Sequence, residues 1–327
     1  NGKLSLYGTP LDDCADINDT PFFCYSSQRI KENINFIKAI SSGQQAYFFP
    51  VKTASQEIVL TEIAKNADGA VISSEAEYTK ALKAGFDQFI VTGMGNSELA
   101  YKIHRLKQLE FFSTASINDV RYLNQYAKGA QEKAPIGIFM NTSGSFSSRE
   151  IGLRDEDELD NFAQKCLLFK GIEIVSLHTR SEYRQKDLNK IIEAAKKLQY
   201  FSERLESQLG IKINTLDLGG GLETRARLSQ EQESEIRDEL RLLCEGVSNE
   251  RKIIFEFGQF IVGDAGFAVS TLVDFKKYKG NINWIALDIG TNSLIPLERA
   301  FFIVVPLNFP KNEVVTECRD STINYAG

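Results

Sequence analysis

A β-rich apolar run followed by an amphipathic helical run recurs along this chain about every 30 residues, the length of one βα unit. The strand-like runs are Gln45 to Val51, Ala70 to Ser73, Phe89 to Thr92, Phe111 to Thr114, Ile136 to Asn141, Ile172 to Thr179, Asn214 to Leu218 and Lys252 to Phe257. Between Asp187 and Leu209, Leu188, Ile191, Ile192, Ala195, Leu198 and Leu205 recur at helical spacing before Gly210, which predicts a helix with one buried face. Ser74, with Glu77 three residues on and Gly85 at the far end, predicts a second helix opened by a capping box. Eight strands alternating with helices, several apolar on both faces, predict an α/β fold, a closed parallel (β/α)8 TIM barrel. An open doubly wound sheet is the alternative.

The pattern changes at both ends. Pro21 to Tyr25 leads into a helix from Ser26, with Ile30, Ile34, Ile37 and Ile40 on one face, while Phe267 to Phe275, Trp284 to Asp288 and Phe301 to Val305 are strand-like with no helix between them. The expected organisation is an N-terminal strand region over residues 1–25, a barrel over 26–261 and a β-rich C-terminal domain over 262–327.

Composition narrows the function. Basic residues number 38 against 44 acidic, a net charge of −6, with no basic run dense enough to track a phosphate backbone, so nucleic acid is excluded as a partner. The longest apolar run, Ala300 to Val305, is far short of the roughly 18 to 20 residues that span a bilayer. A polar start at Asn1 and five cysteines (Cys14, Cys24, Cys166, Cys244, Cys318) without paired spacing predict a cytoplasmic, reduced protein. Two histidines, His104 and His178, exclude a multi-histidine metal centre.

Barrel chemistry sits at the carboxyl ends of the strands, with phosphate commonly bound after strands seven and eight. Lys52 follows the first strand, where a lysine serves either as a Schiff-base amine or as a plain surface charge. Gly219, Gly220 and Gly221 follow the seventh, where bare backbone can cradle a phosphate or simply make a tight exit. Gly93-Met94-Gly95 lacks a third glycine and reads as a turn. Glu256 is embedded in the apolar eighth strand and needs a partner, a protonated ring nitrogen or a structural cation. His178 and Arg180 alternate on strand six and are candidates to line the pocket. Pyridoxal 5'-phosphate, with an aldehyde, a phosphate and a pyridine nitrogen, needs the first three partners at once.

These residues resemble the barrel-type (fold type III) pyridoxal-phosphate decarboxylases of diaminopimelate, ornithine and arginine, with the diaminopimelate branch nearest. Thr20 to Tyr25 looks like "GTPLYVYD", Tyr47 to Thr53 like "YAVKAN", Gly69 to Gly85 like "GADVVSGGELYRALKAG", Glu256 to Gly266 like "EPGRSIVADAG" and Asp288 to Ile295 like "DAGMNDLI". The resemblance implies that Lys52 carries the cofactor, Gly219 to Gly221 grip its phosphate and Glu256 holds its ring nitrogen. It also implies an amino-acid substrate and a homodimer.

Several positions depart from the family. Arg180 stands where "GLHxHIGS" has its ring-stacking histidine, Gln259 where "EPGR" has a phosphate-binding arginine, and Val71 where an aspartate is expected. Pro296-Leu297-Glu298-Arg299 replaces "RPALY", which supplies an arginine for the substrate carboxylate. The family's "GPxC" loop lies beyond Gly327, and Cys318 precedes that point. The expected activity is decarboxylation of an amino acid or an amino-acid-derived intermediate, a carrier-tethered one included. A racemase, or a cofactor-binding relative without turnover, is the alternative.

Overall fold

The computed structural model describes residues 5–6, 9–10, 13, 19–39, 45–128, 132–142, 152–180, 185–247, 251–277, 283–290, 293 and 324–326. Eight parallel strands form a closed barrel: β1 Gln45–Pro50, β2 Gly69–Ile72, β3 Phe89–Thr92, β4 Leu109–Thr114, β5 Ala134–Met140, β6 Ile172–Thr179, β7 Thr215–Asp217 and β8 Lys252–Phe255. Each pairs with its neighbours in the sequence, and β8 closes the ring on β1 with Ile253 opposite Gln45 and Phe255 opposite Tyr47. Closure rules out the open sheet. Helix α1 Ser27–Lys38 precedes β1, and α2 Glu57–Ala64, α3 Glu75–Ala84, α4 Ser97–Arg105, α5 Ile117–Ala127, α6 Glu156–Leu167, α7 Asn189–Leu209 and α8 Gln230–Val247 follow β1 to β7 in turn.

The helix signals act as the sequence predicts. Ser74 Oγ accepts from the backbone N–H of Glu77 at 3.2 Å and Gly85 ends α3 in the left-handed region at φ 105°. The reciprocal bond of the capping box is shifted by one residue, because the Glu77 carboxylate accepts from the backbone N–H of Ser73 at 2.7 Å. Such a cap is worth about 1 kcal/mol.

Inside the barrel, Ala46, Phe48, Val71, Ile90, Phe111 and Ile254 are buried and form one cluster. Large rings fit there because glycine faces them. A Cβ on Gly137 would stand 2.6 Å from the Phe111 ring, and one on Gly69 2.3 Å from that of Phe48. At the amino-terminal end of the strands, Lys252 Nζ donates to Glu110 at 2.7 Å while lying over the Phe48 ring. A half-buried ion pair therefore lies at that end, and the opposite end is left for chemistry.

The chain divides into two compact units, residues 29–265, which hold the barrel, and residues 1–28 with 266–327. In the second, Gly266–Val269 pairs antiparallel with Phe22–Tyr25, and Leu272–Lys277 pairs with Asn283–Leu287, itself parallel to Asn324–Ala326. The single run expected from Phe267 to Phe275 is thus broken at Ser270 and Thr271 into two strands of different sheets. The reason is local: Asp288 accepts from Ser270 Oγ, the Thr271 backbone N–H and Thr20 Oγ1 at 2.5 to 2.9 Å, so the chain is held in a corner there. The strand expected at Phe301 to Val305 lies outside the described residues. No described helix is long and apolar enough to cross a membrane.

Candidate active site

The carboxyl ends of β1, β4, β6, β7 and β8 converge on one cluster. The strand register does most of the assembly: Asp217 pairs directly with His178 of β6 and with Ile254 of β8, and Glu256, two residues beyond Ile254, lies on the same side. One donor atom each of His178, Asp217 and Glu256 lies within 4.8 Å of the other two. His178 Nε2 is 3.5 Å from Glu256 Oε1 and 4.0 Å from Asp217 Oδ2.

Each group is held differently. His178 is buried against Phe139, with ring centroids 5.0 Å apart, and its Nδ1 is 2.6 Å from Ser113 Oγ of β4. Burial pushes its pKa below the ordinary value; the Glu256 carboxylate opposes this, and the Lys52 and Arg180 charges add to the depression. The ring is therefore neutral at neutral pH. Asp217 is fully buried, and Oδ1 accepts from the Gly219 N–H at 2.9 Å. Burial, reinforced by the Glu256 charge, holds its carboxyl well above the usual carboxylate range. Tyr47, on β1, is buried beside the same carboxylate, and burial raises its hydroxyl far above the ordinary tyrosine value. The Tyr47 hydroxyl, Asp217 Oδ2 and Glu256 Oε1 are all buried without a hydrogen-bond partner. Unsatisfied polar atoms this close together mark a place where a ligand completes the bonding.

The glycine loop is built around the same cluster. Gly219 has φ 67°, and a Cβ there would stand 2.4 Å from the Thr179 carbonyl; one on Gly220 would meet the Glu256 carbonyl at 2.5 Å. Only glycine permits both the turn and the approach. Gly221, at φ 123°, accepts through its carbonyl from the Gln185 N–H at 2.9 Å. The Glu256 N–H donates to the Gly219 carbonyl at 2.8 Å, which locks the loop to the exit of β8.

Lys52 lies on a single 3-10 turn, Val51–Thr53, directly after β1, and is exposed at the barrel mouth. The strand ends one residue earlier than the apolar run suggested, because Pro50 closes it. A Cβ on Gly258 would lie 2.3 Å from Thr53 Oγ1, so that glycine lets the lysine turn pack on the exit of β8. Arg180 is exposed, one residue past the end of β6, and does not share the burial of His178. Gln259 is turned toward buried Glu223, donating from Nε2 to Oε1 at 3.4 Å. The positions Ser181, Glu182 and Pro296 to Arg299 lie outside the described residues.

Asp217, Tyr47 and Ser113 are the cluster members to which the sequence pointed no role. Asp217 carried a signal, an acid ending an apolar strand just before three glycines; Tyr47 and Ser113 carried none beyond a polar atom in an apolar run.

Comparison with known proteins gives a consistent set of likenesses. The family described as "Pyridoxal-dependent decarboxylase, pyridoxal binding domain" matches residues 28–263. Diaminopimelate decarboxylase of Aquifex aeolicus is 28% identical over 334 residues, covering 96% of this chain and 77% of that protein. The Vibrio cholerae enzyme of the same name is 27% identical, covering 97% and 79%. A crystal structure from Aquifex aeolicus superposes with a TM-score of 0.84 at 25% identity, covering 100% of this chain and 78% of that one.

Proposed function

This chain belongs to the pyridoxal-dependent decarboxylases, and from that footing we propose that it releases carbon dioxide from an amino acid at the mouth of the barrel, with Lys52 as the covalent anchor of pyridoxal 5'-phosphate. The observation that carries this reading is the buried Glu256 Oε1, without a hydrogen-bond partner, beside a glycine loop and a lysine turn that both pack on the exit of β8. When bound, the cofactor supplies an aldehyde that captures amines and an electron sink for the bond that breaks.

The residues present fit that group. Glu256 offers a carboxylate oxygen to the ring nitrogen, and Gly219 to Gly221 offer bare backbone to the phosphate. The Lys52 amine, exposed at the mouth, would hold the group covalently through its aldehyde. Neutral His178, held by Ser113 and 3.5 Å from Glu256 Oε1, adds no competing positive charge beside that carboxylate. Arg180, exposed one residue past the end of β6, would offer a planar guanidinium to the ring at the position where the family motif carries a histidine. Gln259 is uncharged and bonded to Glu223, so the phosphate would be held by the glycine backbone without the arginine of the family motif.

The substrate class that the relatives' names support is diaminopimelate and similar amino acids; a carrier-tethered intermediate is the variant suggested by the departures at Arg180 and Gln259. A homodimer in the cytoplasm is the state that the family resemblance supports. Purified protein mixed with the cofactor is expected to gain a visible absorbance band and to release carbon dioxide from one of diaminopimelate, lysine, ornithine or arginine. Lys52→Ala is expected to lose both. Retention of the band and of carbon dioxide release in that variant sinks the assignment, and loss of optical rotation without carbon dioxide points to racemisation instead.

A further inference from the structure

We propose that Asp217 is a positioning residue of this site: it carries a proton, so that the carboxyl pair it forms with Glu256 bears a single negative charge, while its other oxygen fixes the Gly219 turn. The inference rests on the assignment of Glu256 and the glycine loop to the cofactor and adds a residue that neither the sequence motif nor that assignment uses. One side chain then sets both ends of the binding site.

The geometry carries the argument. Asp217 is wholly buried, whereas the Glu256 side chain keeps a tenth of its surface exposed. Their oxygens fall within the 4.8 Å cluster, and two ionised carboxylates at that separation in a water-poor interior repel strongly enough that one of them takes up a proton. The more deeply buried one takes it. Asp217 Oδ1 is already occupied by the Gly219 N–H at 2.9 Å, and Oδ2 is buried without a hydrogen-bond partner, 4.0 Å from His178 Nε2. Oδ2 is therefore the oxygen that bears the proton and faces its neighbours.

The groups around it leave the proton no better home. His178 is buried and kept neutral, with Lys52 and Arg180 opposing its protonation. Tyr47 keeps its own proton next to the Glu256 charge. Burial and the charge of Glu256 raise Asp217, the Gly219 N–H lowers it, and the nearness of the Glu256 side chain and the Glu110 charge raise it further. The balance is a protonated Asp217 at neutral pH. A cationic ring nitrogen then meets one counter-charge rather than two. The Gly219 turn stays fixed to the same carboxyl throughout.

The test compares Asp217→Asn with Asp217→Ala in cofactor titrations of the apoprotein, with Lys52→Ala and Glu256→Gln as controls. The amide keeps an acceptor for Gly219 and a donor for Glu256, so Asp217→Asn is expected to bind pyridoxal phosphate within about twofold of the unmodified protein, whereas Asp217→Ala binds about tenfold more weakly. As pH rises, the visible band of the unmodified protein is expected to shift as Asp217 ionises, and that of Asp217→Asn to stay flat in the same range. A purely structural role would not remove that titration. If the controls act as expected but Asp217→Asn binds as poorly as Asp217→Ala, or titrates as the unmodified protein does, Asp217 is a charged or merely structural residue and the inference is overturned. If Lys52→Ala and Glu256→Gln leave the band untouched, the cofactor assignment itself falls, and this inference with it. Should the variants not fold, infrared spectra of the unmodified protein decide. A deuterium-sensitive protonated carboxyl band at neutral pH supports the proposal, and its absence overturns it.

Discussion

A buried imidazole that must stay neutral makes the protein sensitive to acid. His178 has its pKa lowered from 6.5 in the fold, chiefly by burial, so the unfolded chain binds its proton at a higher pH than the folded one does. The stability tied to neutral His178 is thus fully present above pH 6.5 and is lost as pH falls from there through the folded value. Thermal unfolding of apoprotein is expected to move to lower temperature across that window, and His178→Gln to remove part of the slope. An equal slope in the variant would place the acid sensitivity elsewhere. At this scale the sequence was legible wherever a charge or a bare backbone interrupted an apolar run, as at Lys52, Glu256 and Gly219 to Gly221. It was not legible at Tyr47 and Ser113, and at Asp217 it signalled an acid at a strand end but not its role, which comes from partners on neighbouring strands. Register, not spacing along the chain, puts Asp217 opposite His178.

Strand β7 is three residues long, yet its exit carries the glycine loop. The chain turns at Gly219, two residues past the strand, at φ 67°. Adding a methyl group there costs about 1 to 2 kcal/mol in backbone strain alone, before the clash with the Thr179 carbonyl is counted. Gly219→Ala is expected to lower the melting temperature and to weaken cofactor binding together, measured by calorimetry and by titration. A variant that lost affinity at unchanged stability would show that the loop had rearranged locally. Element positions were readable from periodicity to within a residue or two, as with the helix expected from Asp187 and found at Asn189–Leu209. Endings set by side chains from other segments were not. Nothing between Phe267 and Phe275 announces that Asp288 bends the chain at Ser270.

For the molecule as a whole, the repeat gave the number of strands, while the closed ring follows from the pairing of β8 with β1, which a repeat alone does not specify. The proposed homodimer predicts a sedimentation mass near twice 36.7 kDa, and a species of single mass for the cofactor-loaded protein would remove it.

The pairing of β8 with β1 also bears on how the chain is made. Arg29 and Asn33 of α1 both donate to Asp264, which also accepts from the Ala226 N–H; Arg29 and Asp264 are 235 residues apart. At ribosomal speeds the second partner follows the first by on the order of ten seconds or more. Throughout that interval the first strand has an open edge and the first helix lacks its carboxylate. A nascent chain stalled before residue 252 carries an edge that only β8 can close, so the completed ring marks the end of a period in which this protein depends on protection from its neighbours.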